Sequence, residues 1–142
     1  MTDKNEAGRT RVLIADDHPR VLCEMEALLS SEFHVVGRAA DGVSMVAEAA
    51  RLRPDVIVSD IAMPGLSGID ASREILKDDP ATVIVLLTVY NDPQLAKAAL
   101  RIGIRGYVNK LTAGDELVPA IYRVLSGSTF VSSSCKDPDS GG

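Results

Sequence analysis

Five short apolar runs, each separated from the next by a stretch of helical period, constrain this 142-residue chain more than any other feature in it. Strand and helix alternating in this way build βα units, and βα units assemble into a parallel sheet covered by helices. The runs span 12–16, 34–38, 55–60, 82–88 and 106–109. Three of them, VLIAD, VIVSD and TVIVLLT, are near-continuous apolar segments ending in a polar residue. Central strands buried on both faces have this pattern. The expected fold class is therefore α/β with a five-stranded parallel sheet.

The helical stretches supply the covering layers. Apolar residues recur at Val21, Leu22, Met25, Leu28 and Leu29, then at Val43, Val46, Ala47 and Ala50, each a stripe of period 3.6. Residues 66–77 carry a thinner stripe of Leu66, Ile69, Ile75 and Leu76. The fourth helix uses Leu95, Ala98, Ala99 and Ile102 and stops at Gly103; the fifth uses Leu117, Val118, Ile121, Val124 and Leu125 before Gly127. Pro119 falls inside the fifth pattern, where a missing N–H predicts a kink unless it lies in the first turn. From Gly127 onward the chain is rich in Ser, Gly and Pro and reads as a linker or disordered tail. The expected division is a disordered N-terminus over 1–10, one domain over 11–127 and a linker or tail over 128–142.

Charge and composition exclude several functions. A net charge of −5 and a pI near 4.9 leave no basic face for a phosphate backbone, so these residues are not expected to bind DNA. The two cysteines, Cys23 and Cys135, have no zinc-ligand or disulfide spacing, which suits a reduced cytoplasmic compartment. No apolar run approaches the roughly 20 residues a membrane span needs, and the first ten residues are polar, so no membrane association is expected.

In open parallel sheets the ligand site lies beyond the carboxyl ends of the strands. Those ends carry Asp16 and Asp17 after the first strand, Asp60 on the third, Thr88 on the fourth and Lys110 after the fifth. Three carboxylates in one pocket repel one another unless a cation or proton neutralises them. A few hard oxygen ligands with room for water suit Mg²⁺ better than zinc or a caged Ca²⁺. A lysine and a hydroxyl beside such a carboxylate are the groups that hold phosphoryl oxygens during in-line transfer. Singly, each residue reads as a helix cap, a turn or a solvated charge; their order over four strand ends of one sheet points to a site.

The stretches VLIADDHP, DVIVSDIAMPGLSGID, VIVLLT and GYVNK resemble the receiver domains of response regulators, and DDHP with DIAMPGLSG is most similar to the NarL/FixJ subfamily, whose members usually carry a LuxR-type output. The resemblance covers about 11–127. It implies a flavodoxin-like, doubly wound sheet of order 2-1-3-4-5 with helices on both faces. It implies further that Asp60 is the phosphoacceptor, that Asp17 and Asp60 ligate Mg²⁺ directly with Asp16 acting mainly through water, and that the carbonyl of Ala62 completes the protein ligands. Thr88 and Lys110 would contact the phosphoryl group, and Tyr107 would be the aromatic switch residue. Ala62 and Tyr90 would border the path of the hydrolytic water and so set the phosphoryl lifetime. The implied partners are a sensor histidine kinase, a second copy in a homodimer, and DNA only through an output domain absent from these residues. Such a protein is not an enzyme beyond catalysing its own phosphorylation and dephosphorylation.

Rival readings fare worse. A haloacid-dehalogenase-type phosphohydrolase needs an acidic residue two positions after its nucleophile, where this chain has Ala62. A flavodoxin-type electron carrier needs a hydroxyl- and Gly-rich loop after the first strand, and ADDHP would repel phosphate. A degenerate receiver serving only as a dimerisation module would not need the full set of Asp16, Asp17, Asp60, Thr88 and Lys110. His18 reads as a helix-start residue before Pro19 rather than a metal ligand or proton carrier, and His34 as part of the second strand. Leu111 follows Lys110 where many receivers have Pro, so no cis bond is expected there, since a non-proline cis bond costs roughly 3 kcal/mol.

Overall fold

The structure, a computed structural model, describes residues 9–136. The strands are β1 (Arg11–Ala15), β2 (His34–Ala39), β3 (Val56–Asp60), β4 (Val83–Thr88), β5 (Gly106–Asn109) and β6 (Phe130–Val131). They form one sheet in the order β2-β1-β3-β4-β5-β6, every neighbouring pair parallel. The helices are α1 (Pro19–Leu29), α2 (Gly42–Leu52), α3 (Gly68–Asp78), α4 (Pro93–Ile102) and α5 (Ala113–Leu125).

Strand alternation sorts the core into two layers. Leu13, Ala15, Ile57, Ile84 and Leu86 face one way and pack with Met45, Ala49, Ala71, Ile75, Ala96 and Ala99 of α2, α3 and α4. Val12, Ile14, Val56, Val58, Val85 and Leu87 face the other way, onto Leu22, Met25 and Leu29 of α1 and Leu117, Ile121 and Val124 of α5. Because both faces are covered, β1, β3 and β4 show no polar alternation, and the flavodoxin-like, doubly wound arrangement follows.

Local chemistry fixes the helix starts. Asp41 accepts from the Ser44 N–H at α2, Ser67 from Asp70 at α3, and Asp92 from Gln94 and Leu95 at α4, each satisfying an N–H that the helix leaves open. Gly103 ends α4 in the left-handed region, φ 114°, where glycine has no Cβ to clash.

Three expectations change. The sheet has six strands, not five: the N–H groups of Phe130 and Ser132 donate to the carbonyls of Arg105 and Tyr107 (3.0 and 2.9 Å). The segment expected as linker or tail thus continues the sheet up to a short 3₁₀ turn at Ser133–Cys135, where Cys135 is fully buried. The buried face of α2 is Gly42, Met45 and Ala49, while Val43 is exposed. That face wins because Gly42 has no side chain; a Cβ there would lie 2.0 Å from the Leu66 carbonyl oxygen. Pro119 lies inside α5, beyond its first turn, and the helix continues past it to Leu125. It and Asp115, whose carbonyl it cannot pair with, are both exposed, so water can take that oxygen. The N-terminus expected to be disordered lies, but for Arg9 and Thr10, outside the described residues, as do 137–142. Among the described residues there is no cis peptide bond, and no helix is long and apolar enough to cross a membrane.

Candidate functional site

The carboxyl ends of β1 and β3, with the turn after β5, bring the charged residues together. Asp16 follows β1 and is fully buried; Asp60 ends β3 and is 6% exposed. The ammonium of Lys110, the first residue after β5, lies 2.9 Å from Asp16 Oδ2 and 3.4 Å from Asp60 Oδ2. The lysine thus bridges two carboxylates that would otherwise repel in a poorly hydrated pocket. Asp60 Oδ1 also accepts the Ile61 N–H at 2.8 Å.

The electrostatics reflect this crowding. Burial pushes the Asp60 carboxyl above the usual carboxylate range; Lys110 opposes the shift and Asp16 adds to it. For Lys110, burial acts to lower the ammonium pKa, but the hydrogen bond to Asp16 and the charge of Asp60 outweigh it, and the net shift is upward. One lysine does not neutralise three acidic side chains.

Asp17 supplies a direct test of whether a small cation fits. Its Oδ1 is buried and accepts no hydrogen bond; His18 Nδ1 stands 3.1 Å away, close enough for an ion pair but without hydrogen-bond geometry. A buried carboxylate oxygen with no donor is costly unless something else satisfies it. Ligand atoms of Asp16, Asp17, His18 and Asp60 all lie within 4.8 Å of one another. Hard oxygens at that spacing suit a hexacoordinate ion such as Mg²⁺, so the residues present fit the ion.

The remaining expected residues sit around this cluster. Thr88 ends β4, fully buried, and its Oγ1 accepts the Tyr90 N–H at 3.1 Å. Tyr107 is fully buried within the α2–α4 layer, its hydroxyl donating to the Tyr90 carbonyl at 3.3 Å, and burial pushes its phenol up to about 12. Ala62 is exposed in the loop after β3, and Tyr90 is half exposed in the loop after β4.

Two participants escape a reading of the sequence. His18 lies over the acidic pair, not merely at a helix start: its Nδ1 is 3.0 Å from Asp16 Oδ1. Gly68 is the other. A Cβ at its position would stand 1.9 Å from the carbonyl oxygen of Asp60, so the start of α3 presses directly on the backbone of that residue. The G-x-x-G spacing of Gly65 and Gly68 marks the loop but not which glycine makes the close approach.

The family model for the response regulator receiver domain matches residues 12–122. The oxygen regulatory protein NreC of Staphylococcus carnosus is 35% identical over 124 residues, which are 85% of this chain and 57% of that protein. The chain therefore spans little more than half the length of such curated relatives. A LuxR-family two-component response regulator from Aurantimonas sp. superposes with a TM-score of 0.86 at 32% identity, covering 90% of this chain and 93% of the other. The isolated receiver of RcsB from Salmonella enterica serovar Typhimurium, solved with the phosphomimetic BeF3-, superposes with a TM-score of 0.82 at 31% identity over 90% and 96% of the two chains.

Proposed function

Because the chain belongs to the response regulator receiver family, in its NarL/FixJ subfamily, we propose that it takes a phosphoryl group from a sensor histidine kinase onto Asp60 and passes the change to a DNA-binding output domain outside residues 1–142. The observation that carries this reading is the Lys110 ammonium held between Asp16 Oδ2 and Asp60 Oδ2. It stands where a phosphoryl oxygen joined to Asp60 would need a positive charge.

In the transfer, a carboxylate oxygen of Asp60 attacks phosphorus in line. The bond from phosphorus to the donor breaks, its electron pair leaves with the donor, and a mixed anhydride forms on Asp60. The Lys110 ammonium donates to one phosphoryl oxygen and the Thr88 hydroxyl to another. Asp17, Asp60 and the Ala62 carbonyl would hold Mg²⁺, with Asp16 acting through water. When bound, the ion neutralises the carboxylates and stabilises charge on the phosphoryl oxygens. Engagement of Thr88 then biases the Tyr90 and Tyr107 contacts behind it, shifting an existing equilibrium between inactive and active forms. The protein is no enzyme toward other substrates. The cytoplasm, where a kinase and DNA are both within reach, is its expected location, and a homodimer its expected assembly.

Intact mass after incubation with Mg²⁺ and an acyl phosphate donor tests the assignment. The parent should gain one phosphoryl group and Asp60→Ala none, with unchanged circular dichroism. A phosphorylated Asp60→Ala protein removes the site from Asp60.

A further inference from the structure

The imidazole of His18 has no role in the transfer described above, yet it lies against the same carboxylates. Its placement is built into the backbone. His18 precedes Pro19, and a residue before proline is held out of the helical region; His18 accordingly has φ −102° and ψ 112° and stands just outside α1. Its own N–H donates to Asp16 Oδ1 at 2.9 Å, which anchors the residue on the acidic pair. The ring then brings Nδ1 to 3.0 Å from Asp16 Oδ1 and 3.1 Å from Asp17 Oδ1. Asp16 is fully buried while the His18 side chain is 65% exposed, so the ring lies over the carboxylates from the solvent side.

Those separations have a second meaning. Two adjacent ligands, each about 2.1 Å from an octahedral ion, stand about 3.0 Å apart. His18 Nδ1 therefore stands from Asp17 Oδ1 at the separation of neighbouring corners of one coordination shell, and Asp17 Oδ1 is the buried oxygen that accepts no hydrogen bond. Imidazole is a poor ligand for Mg²⁺, which prefers oxygen, and a good one for borderline ions such as Mn²⁺, Co²⁺ and Ni²⁺, in rising order of affinity.

We propose that His18 makes this site dual in its metal selection: Mg²⁺ is held by oxygens alone, whereas a borderline divalent ion recruits His18 Nδ1 as an additional direct ligand beside Asp17 and Asp60. The inference rests on the acidic cluster being a cation site, and does not depend on phosphoryl transfer. Ligation needs the tautomer with its proton on Nε2, so Nδ1 exchanges its contact with the carboxylates for the metal. Pro19 makes the arrangement ready before the ion arrives, which favours affinity.

The chain contains only two histidines, and His34 opens β2 beside Arg11, at the opposite end of the strands from the site. Any imidazole nitrogen bound to an ion in the cluster must then come from His18. The full chain loaded with Mn²⁺ should show nitrogen couplings in pulsed electron paramagnetic resonance, present in His34→Ala and absent in His18→Ala and in His18→Gln, which keeps a donor but has no ring nitrogen. By calorimetry both His18 variants should lose roughly tenfold or more in Co²⁺ and Ni²⁺ affinity, since even outer partners of a metal site are worth about 10–100-fold. Their Mg²⁺ affinity should stay within about twofold of the parent. Absence of nitrogen coupling in the parent overturns the proposal. So does equal strengthening of all four ions in His18→Ala, which makes the ring a mere counter-charge. A parent that binds none of the ions, Mg²⁺ included, removes the underlying cation site and the proposal together.

Discussion

The hydroxyl of Tyr107 donates to the backbone carbonyl of Tyr90, and the N–H of the same Tyr90 donates to the Thr88 hydroxyl oxygen. One residue of a surface loop thus connects the hydroxyl beside the acidic site to a buried ring on β5. Thr88 serves here as an acceptor and keeps its own proton to donate. A phosphoryl oxygen can therefore claim Thr88 without first breaking the bond to Tyr90. Tyr107→Phe should cost about 0.5–1.5 kcal/mol, the net worth of a typical hydrogen bond, read from urea denaturation. It should leave the phosphoryl mass gain intact, because Tyr107 touches no reacting atom.

Asp60 should weaken the metal-free fold at neutral pH. Its pKa is raised on folding, chiefly by burial, so the native state binds more protons than the unfolded chain between the ordinary carboxylate pKa and the raised one. Stability consequently falls as pH rises through that window, and above it the cost is fully present. Asp60→Asn removes the titration. Without metal the variant should be more stable than the parent at pH 7 by roughly 0.5–2 kcal/mol, as relief of a strained functional site commonly gives, and no different at low pH. Calorimetric melts at several pH values decide it; an Asp60→Asn protein less stable at pH 7 contradicts the electrostatic account.

Gly68→Ala should damage fold and site together. The added methyl has to displace the Asp60 carbonyl oxygen, and the Gly68 N–H that donates to Ile61 at 2.8 Å would move with it. Overpacking of this kind costs roughly 1–3 kcal/mol or more. A lower denaturation midpoint with slower phosphorylation is expected, whereas Gly65→Ala, at a position with open space but φ 74°, should show only the backbone penalty.

The phosphoryl lifetime should depend on Ala62 and Tyr90. Ala62 has no group to orient a water molecule, and the half-exposed Tyr90 ring is large enough to screen the approach to Asp60. A positioning hydrogen bond worth about 1.4 kcal/mol in the transition state changes the rate roughly tenfold. Ala62→Asn combined with Tyr90→Glu should accelerate loss of the phosphoryl group, followed by intact mass at fixed Mg²⁺. An unchanged half-life would remove both positions from control of hydrolysis.

The central strands were legible in the sequence because double burial leaves a run such as VIVLLT no polar alternation to confuse. The ends of β1, β3 and β4 were legible for the same reason, since an abrupt Asp or Thr after such a run has few other places to go. The phase of α2 was only partly so: Val46 does pack against the core, but Met45 and Ala49 compete with an equally apolar Val43, and only the close approach at Gly42 selects between them. Two residues, Phe130 and Val131, are too few to show a period, so β6 was hidden among serines. The position of the His18 ring depends on the turn into α1, which no spacing along the chain reveals.

That sixth strand changes what the end of the sheet presents to other molecules. A β5 left as the outermost strand would offer the open backbone groups of Arg105 and Tyr107 to any extended chain, the usual origin of unplanned pairing between copies. Phe130 and Ser132 occupy those groups, and burial of Cys135 holds the covering segment down. A chain cut at Gly127 would keep every residue of the acidic cluster and still lose this protection. Its characteristic fault would be adhesion between sheets at high concentration.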